Sequence, residues 1–287
     1  MSLPVGESTS ERAWEGNPIR FPMGGAGGLP RAARVVRVIP ESERVKTLIL
    51  DLRLPAQPGQ FVMVWLPDYE EKPFSLAEAD PVGLTVARVG PFSTALHRLE
   101  PGDPVWIRGP LGHGFTLEGR RILLVGGGYG VAPLAFLARE ALARGMEVTA
   151  LTAARTATDV LYAERFRALG ARVVVATEDG SAGERGRAPE VARRLLEREP
   201  YDALYGCGPE GMLEALRTLA AERGLPAQLS YEAYMRCGIG LCGSCEREGR
   251  VLCLEGPVLR FAPEGAPRRR ARALRKPGVG RIAGSSR

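Results

Sequence analysis

The sequence lacks any run of about 18 uninterrupted apolar residues, and residues 1–30 hold neither the basic stretch nor the apolar core of a secretory signal. A membrane-spanning helix is thereby excluded, and a soluble cytoplasmic protein is expected. Cysteine is absent from most of the chain: of five residues, four fall between positions 237 and 253. That clustering excludes the dispersed disulfide framework of a small secreted fold and points to a metal or cofactor. No internal repeat is present, and no triad of nucleophile, base and orienting acid suggests itself.

The net charge of +6 and pI near 9.3 raise the question of nucleic acid. Basic residues are interleaved with acidic ones along the chain, except in the tail from Arg268 to Arg275. No aromatic platform or recognition motif accompanies that tail, so it reads as a solvated end or a protein-docking arm. With 287 residues, 45% hydrophobic and 25% charged, the chain has ordinary globular composition and length for two domains of common size.

Patterning divides the chain into five parts. Residues 1–30 mix Ser, Glu, Gly and Pro without periodicity and read as a flexible leader. Residues 31–118 hold short β-rich runs bounded by Pro and Gly (33–39, 45–51, 60–66, 84–89 and 104–108), the pattern of a small barrel. Residues 119–228 alternate apolar runs with helical segments, which argues for a parallel sheet with crossover helices. Residues 229–262 form a Gly- and Cys-rich segment too irregular to pack alone, and 263–287 are the basic tail.

Two glycine turns occupy the α/β part. The buried run Ile122–Val125 leads through Gly126-Gly127-Gly128-Tyr129-Gly130 into a helix start, and Tyr205 leads through Gly206-Cys207-Gly208-Pro209 into another. At the carboxyl edge of an open sheet, such turns let amides and a helix N-terminus approach a pyrophosphate. Cys207 stands where a nicotinamide could lie, although a buried thiol is often only a small core residue.

The strongest signal is Cys237-Gly-Ile-Gly-Leu-Cys242-Gly-Ser-Cys245, followed by Cys253. This C-x4-C-x2-C spacing is that of plant-type [2Fe–2S] loops. Gly238, Gly240 and Gly243 supply the unusual dihedrals needed to wrap a cluster. Zinc remains the alternative, although zinc sites usually pair two C-x2-C motifs and here there is one.

Taken in order, these motifs resemble the electron-transfer subunits of dihydroorotate dehydrogenase B, within the ferredoxin reductase-like superfamily. The resemblance covers roughly residues 31–260 and implies an FAD-binding β-barrel, a parallel-sheet NAD-binding domain and a C-terminal iron–sulfur subdomain. It implies FAD contacts at Lys72, Pro73, Phe74 and Ser75, with the flavin pyrophosphate received by Gly90, Ser93 and Thr94. NAD(H) is expected at Gly126, Gly127, Gly128 and Gly130 together with Cys207, Gly208 and Pro209, and the cluster at Cys237, Cys242, Cys245 and Cys253. His113, in the segment Gly109–Phe115, reads as a turn or contact residue. Arg155 and the loop Thr177–Gly183 lie where the choice between NADH and NADPH could be made.

Two departures from the family pattern stand out. Lys72 replaces the usual Arg and loses its planar phosphate-gripping fork, so FMN could compete with FAD, and the Cys245–Cys253 gap is short. The expected partner is a catalytic flavoprotein subunit, a dihydroorotate dehydrogenase, in a hetero-oligomer. The same layout also serves sulfide dehydrogenase, hydrogenase and transhydrogenase-like complexes, and a zinc-bearing redox-sensing module is the non-catalytic alternative.

Overall fold

The computed structural model describes residues 28–262. Most of the leader and all of the basic tail lie outside the described residues. Six strands form a closed antiparallel barrel: β1 (Arg31–Pro40), β2 (Val45–Leu50), β3 (Phe61–Trp65), β4 (Lys72–Ala79), β5 (Val82–Ala87) and β6 (Pro104–Leu111), ordered β1-β2-β5-β4-β3-β6. Helix α1 (Pro91–His97) bridges β5 and β6.

Pattern alone reveals five of these strands and not β4, whose Pro73 and Glu78 interrupt any alternation. The stretch Gly90–Thr94 reads as a turn, yet only Gly90 precedes the helix that Pro91 opens.

Strand β3 is buried on both faces, which accounts for its continuous apolar sequence. Val62 and Val64 fill the barrel, whereas Phe61 and Met63 face a second core that includes Cys245 and Cys253. In β6, Val105 and Ile107 likewise point into the barrel, so by strand alternation Arg108 lies on its outer side.

The following seven-stranded sheet comprises β7 (Arg121–Gly127), β8 (Glu147–Ala154), β9 (Arg172–Thr177), β10 (Glu184–Arg185), β11 (Ala203–Cys207), β12 (Ala227–Ser230) and β15 (Val258–Phe261). Its order is β10-β9-β8-β7-β11-β12-β15, parallel except for β15 against β12. The order reverses between β7 and β11, which creates the topological switch point where ligands bind in open α/β sheets. Helices α2 (Val131–Ala143), α3 (Ala163–Leu169), α4 (Ala188–Arg198) and α5 (Glu210–Glu222) make the crossovers.

Helix α2 is apolar nearly all round because it has two partners. Ala132, Leu134 and Ala135 pack with Ile122 and Leu124 of the sheet, while Phe136 enters the barrel core. Charge secures the same joint. Arg165 donates to Glu78 at 2.8 Å, Arg139 pairs with the same carboxylate, and the Tyr162 hydroxyl lies 2.6 Å from Thr85 Oγ1.

Between β12 and β15 the chain makes the cysteine segment, with only a two-strand hairpin, β13 (Glu246–Arg247) and β14 (Arg250–Val251), and a short helix α6 (Leu252–Glu255). Its last strand rejoins the nucleotide-domain sheet, so the segment is a long excursion from that sheet's edge. Among the described residues no helix is long and apolar enough to cross a membrane.

Candidate functional site: two cavities and a cysteine loop

A cavity of about 910 Å³ lies between the barrel and the sheet, within the range of small-molecule and cofactor sites. Its barrel wall carries Lys72, Pro73, Phe74 and Ser75 of β4 with Gly90 and Ser93, and its far wall carries Gly130, Cys207 and the stretch Ser230–Met235. Phe74 and Tyr69 both approach Phe92, with ring centroids 6.1 and 5.9 Å apart, and give one side an aromatic lining.

Three of the residues read from sequence are otherwise engaged. Ser93 Oγ accepts from the amides of Val89 and Gly90 at 2.9 and 3.0 Å, which holds the turn in shape. Thr94 belongs to α1, its amide donating to Gly90 O at 2.9 Å, and it does not line the cavity. Lys72 Nζ sits 2.6 Å from Glu70 and 5.3 Å from the Tyr234 ring centroid, so its charge is shared before any phosphate arrives.

The two glycine turns meet at the switch point. Gly126 and Cys207 are paired across β7 and β11. A Cβ on Gly130 would stand 2.5 Å from the Cys207 carbonyl oxygen, a backbone atom that cannot step aside, so this close approach requires glycine. Cys207 is buried, and that burial pushes its thiol up to about 12, leaving a neutral wall group at ordinary pH. Burial likewise raises Tyr129 to about 12, with the Glu232 carboxylate adding to the effect.

On the outer side of the same turns lies a second cavity of about 870 Å³, lined by Gly127, Gly128, Pro209 and Met212 and closed by Arg155, Glu178 and Arg187. Gly130 and Cys207 face the first cavity whereas Gly127, Gly128 and Pro209 face the second. An extended dinucleotide crossing the turns would reach both. Gly208 lines neither, its backbone being packed on Gly127 N and the Met212 side chain.

The cysteine segment covers the outer face of β3. Gly238, at φ +69°, rests on Met63 and Leu111, and Gly240, at φ +78°, turns the chain beneath Leu254. The sulfurs are interleaved with amide donors: Gly240 N–H to Cys253 Sγ at 3.0 Å, Leu241 N–H to Cys237 Sγ at 3.3 Å, and Cys253 N–H to Cys245 Sγ at 3.4 Å. Amide donors of this kind stabilise thiolate and tune iron–sulfur centres.

Cys245 and Cys253 are buried, Cys237 is half-buried and Cys242 is exposed. Hydrogen bonds from Ser244 pull Cys242 down to about 6, into the thiolate form that ligation needs. Among the described residues no group of three or more His, Cys, Asp or Glu side chains is arranged around one point to hold a metal ion. The four thiols of the loop are nevertheless close enough to act on one another, Cys253 on Cys245 and Cys237, and Cys242 on Cys237, and an all-thiol donor set is the one a [2Fe–2S] cluster would take.

Sequence reading missed Tyr69, Glu232 and Tyr234 in the cavity wall. Tyr234 and Glu232 stand within five residues of Cys237, and that proximity was the available signal.

Known proteins agree with this geometry. Residues 124–218 match the oxidoreductase NAD-binding domain, and residues 232–262 match the iron–sulfur cluster binding domain of dihydroorotate dehydrogenase B. A solved structure described as an NADH-dependent reduced ferredoxin–NADP oxidoreductase superposes with a TM-score of 0.73 at 30% identity, covering 83% of this chain and 90% of that one. The flavohaemoglobin-like FAD/NAD-binding domain of a nitric oxide dioxygenase from Vibrio cholerae shares the fold, with a TM-score of 0.61 at 24% identity over 69% of this chain and 95% of that one.

Among curated relatives, the probable dihydroorotate dehydrogenase B (NAD(+)) electron transfer subunit of Methanocaldococcus jannaschii is 39% identical over 80% of this chain and 89% of its own length. Its counterpart in Methanothermobacter thermautotrophicus is 48% identical over 80% of this chain and 88% of its own length. By that likeness over nearly the whole of its relatives, the chain belongs to the family of dihydroorotate dehydrogenase B electron-transfer subunits.

Proposed function

We propose that this chain holds FAD in the barrel-side cavity, NAD(H) across the paired glycine turns and a [2Fe–2S] cluster on Cys237, Cys242, Cys245 and Cys253. In this reading it passes electrons between NAD(H) and a catalytic dihydroorotate dehydrogenase flavoprotein. The observation that carries the reading is an adjacency. Met63 of β3 pairs with Pro73 in the flavin segment and also bears Gly238 of the cysteine loop. The cavity and the cysteine loop are thus separated by about the width of a strand.

Bound FAD would supply the exchange between a hydride and single electrons, chemistry that belongs to the cofactor. The protein's part is to position and exclude. Pro73, Phe74 and Ser75 hold one wall of the cavity against Phe92, while Gly130 and the neutral Cys207 thiol leave room for a flat ring from the other side. Lys72, drawn toward Glu70, remains available to a phosphate as a point charge and not as a bidentate fork. Leu241 is 81% exposed beside the cluster ligands, so a partner can reach the cysteine loop directly.

The likeness to a ferredoxin–NADP oxidoreductase favours a second reading, the same module serving a different catalytic subunit. Co-expression with the dihydroorotate-oxidising flavoprotein of the same cell discriminates the two. The expected result is a stable complex that reduces NAD with dihydroorotate, and a Cys237→Ala complex that does not. A partner that reduces NAD by itself, or a complex unaffected by Cys237→Ala, would contradict the proposal.

A further inference from the structure

The cysteine segment has little secondary structure, and arginines secure it at two ends. On the nucleotide-domain side, Arg247 in the first strand of the hairpin donates to Glu210 at 2.5 Å and Glu214 at 2.8 Å and lies 4.2 Å from the Tyr231 ring centroid. On the barrel side the His113 N–H donates to the Gly256 carbonyl at 2.5 Å, and the link that reaches a cysteine of the loop is Arg108. Its side chain is 11% exposed, and it donates through Nε to Glu71 Oε1 at 3.1 Å and through Nη2 to Glu71 Oε2 at 2.5 Å. The same Nη2 donates to the backbone carbonyl of Cys237 at 2.9 Å, across 129 positions of sequence.

The geometry uses what distinguishes Arg from Lys. A planar fork held at both tines by one carboxylate cannot swing, so the remaining N–H direction is fixed in space. The paired charge also leaves no bare cation in a mostly buried place. Below Cys237 the loop meets the barrel through Gly238, which brings no side chain to Met63 and Leu111 and grips only by backbone contact. The directional bond to Cys237 on that side comes from Arg108, which sits opposite Met63 in the β3–β6 ladder.

We propose that Arg108, oriented by Glu71, is a positioning residue that fixes Cys237, and with it the cluster, relative to the flavin bound on the same barrel. The inference rests on the cofactor placement proposed above. Arg108 touches neither cavity, so its influence falls on the passage of electrons between flavin and cluster and not on hydride exchange with NAD(H).

The test uses the full-length chain loaded with FAD and cluster, as wild type, Arg108→Met, Arg108→Lys and Glu71→Gln. Two readouts are taken: the electron paramagnetic resonance spectrum and midpoint potential of the cluster, and stopped-flow traces of flavin and cluster reduction by NADH. Arg108→Met is expected to keep the wild-type rate of flavin reduction, to broaden or shift the cluster resonance, and to slow cluster reduction about tenfold, the scale of one lost charge-assisted hydrogen bond. Arg108→Lys and Glu71→Gln should fall between it and wild type.

Unchanged spectrum, potential and cluster-reduction rate in Arg108→Met would overturn the inference, as would an equal slowing of both steps. Should Arg108→Met fail to hold a cluster, Glu71→Gln decides, because it keeps the guanidinium and frees only its orientation. Wild-type protein without iron and sulfide would instead overturn the cofactor placement itself.

Discussion

The crevice between barrel and sheet and the cysteine segment are built in opposite ways. Around the crevice, most of the wall is the end or face of a regular element whose other side is in a core: β4 in the barrel, α2 between barrel and sheet, and β7 and β11 at the centre of the sheet, with the irregular stretch Tyr231–Met235 completing it. The cysteine segment has a hairpin of two-residue strands and a four-residue helix. It is held by Arg108 from the barrel, by the ion pairs of its own Arg247 with Glu210 and Glu214, and by the pairing of β15 with β12. On the proposed cofactor placement, the flavin and nucleotide sites are expected to be shaped before a ligand binds and the cluster site to take part of its order from its ligand.

The sharpest way to break this contrast is to remove one ligand. Cys253→Ala should abolish bound iron and sulfide altogether while leaving the flavin spectrum and the far-ultraviolet signal of the barrel and sheet intact. Retained iron and sulfide would show that the loop is preformed after all.

A substitution in the crevice should do the reverse. Gly130→Val forces a side chain against the backbone of Cys207. Overpacking of this kind costs about 1–3 kcal/mol. Thermal unfolding should fall by several degrees and NADH affinity should weaken severalfold, with iron and sulfide still bound in the protein that folds.

Arg247→Met should have a smaller effect, confined to the cysteine segment. The residue is partly exposed, so its ion pairs with Glu210 and Glu214 and its stacking on Tyr231 are together worth roughly 1 kcal/mol. The measurable result is faster loss of iron to a chelator, with flavin content unchanged. Arg193→Gln removes an ion pair whose two members, Arg193 and Glu222, are each about half exposed. It should change neither midpoint nor cluster retention beyond roughly 0.5 kcal/mol, and so marks the floor against which the Arg247 effect is read.

The same contrast governs what the sequence reveals. Ligand spacing is local, so Cys237, Cys242, Cys245 and Cys253 stand out in the chain, and the turns at Gly126–Gly130 and Cys207–Pro209 announce themselves by following apolar strands. The closed barrel and the parallel sheet are legible because most of their strands alternate or run apolar. Strand β4 is hidden by Pro73 and Glu78, one a poor strand former and the other recruited by Arg139 and Arg165 from the neighbouring domain. The reach of Arg108 to Cys237, the contact of Lys72 with the Tyr234 ring, and the return of β15 to the sheet edge are set by tertiary approach. No periodicity records them.

The most direct test of the account is an anaerobic titration of the purified full-length chain with NADH, followed by absorption and electron paramagnetic resonance. The account predicts a flavin band that bleaches and, in step with it, the appearance of a reduced [2Fe–2S] signal. A protein that holds zinc without sulfide, or a flavin that reduces while a bound cluster stays oxidised at every NADH concentration, would contradict it.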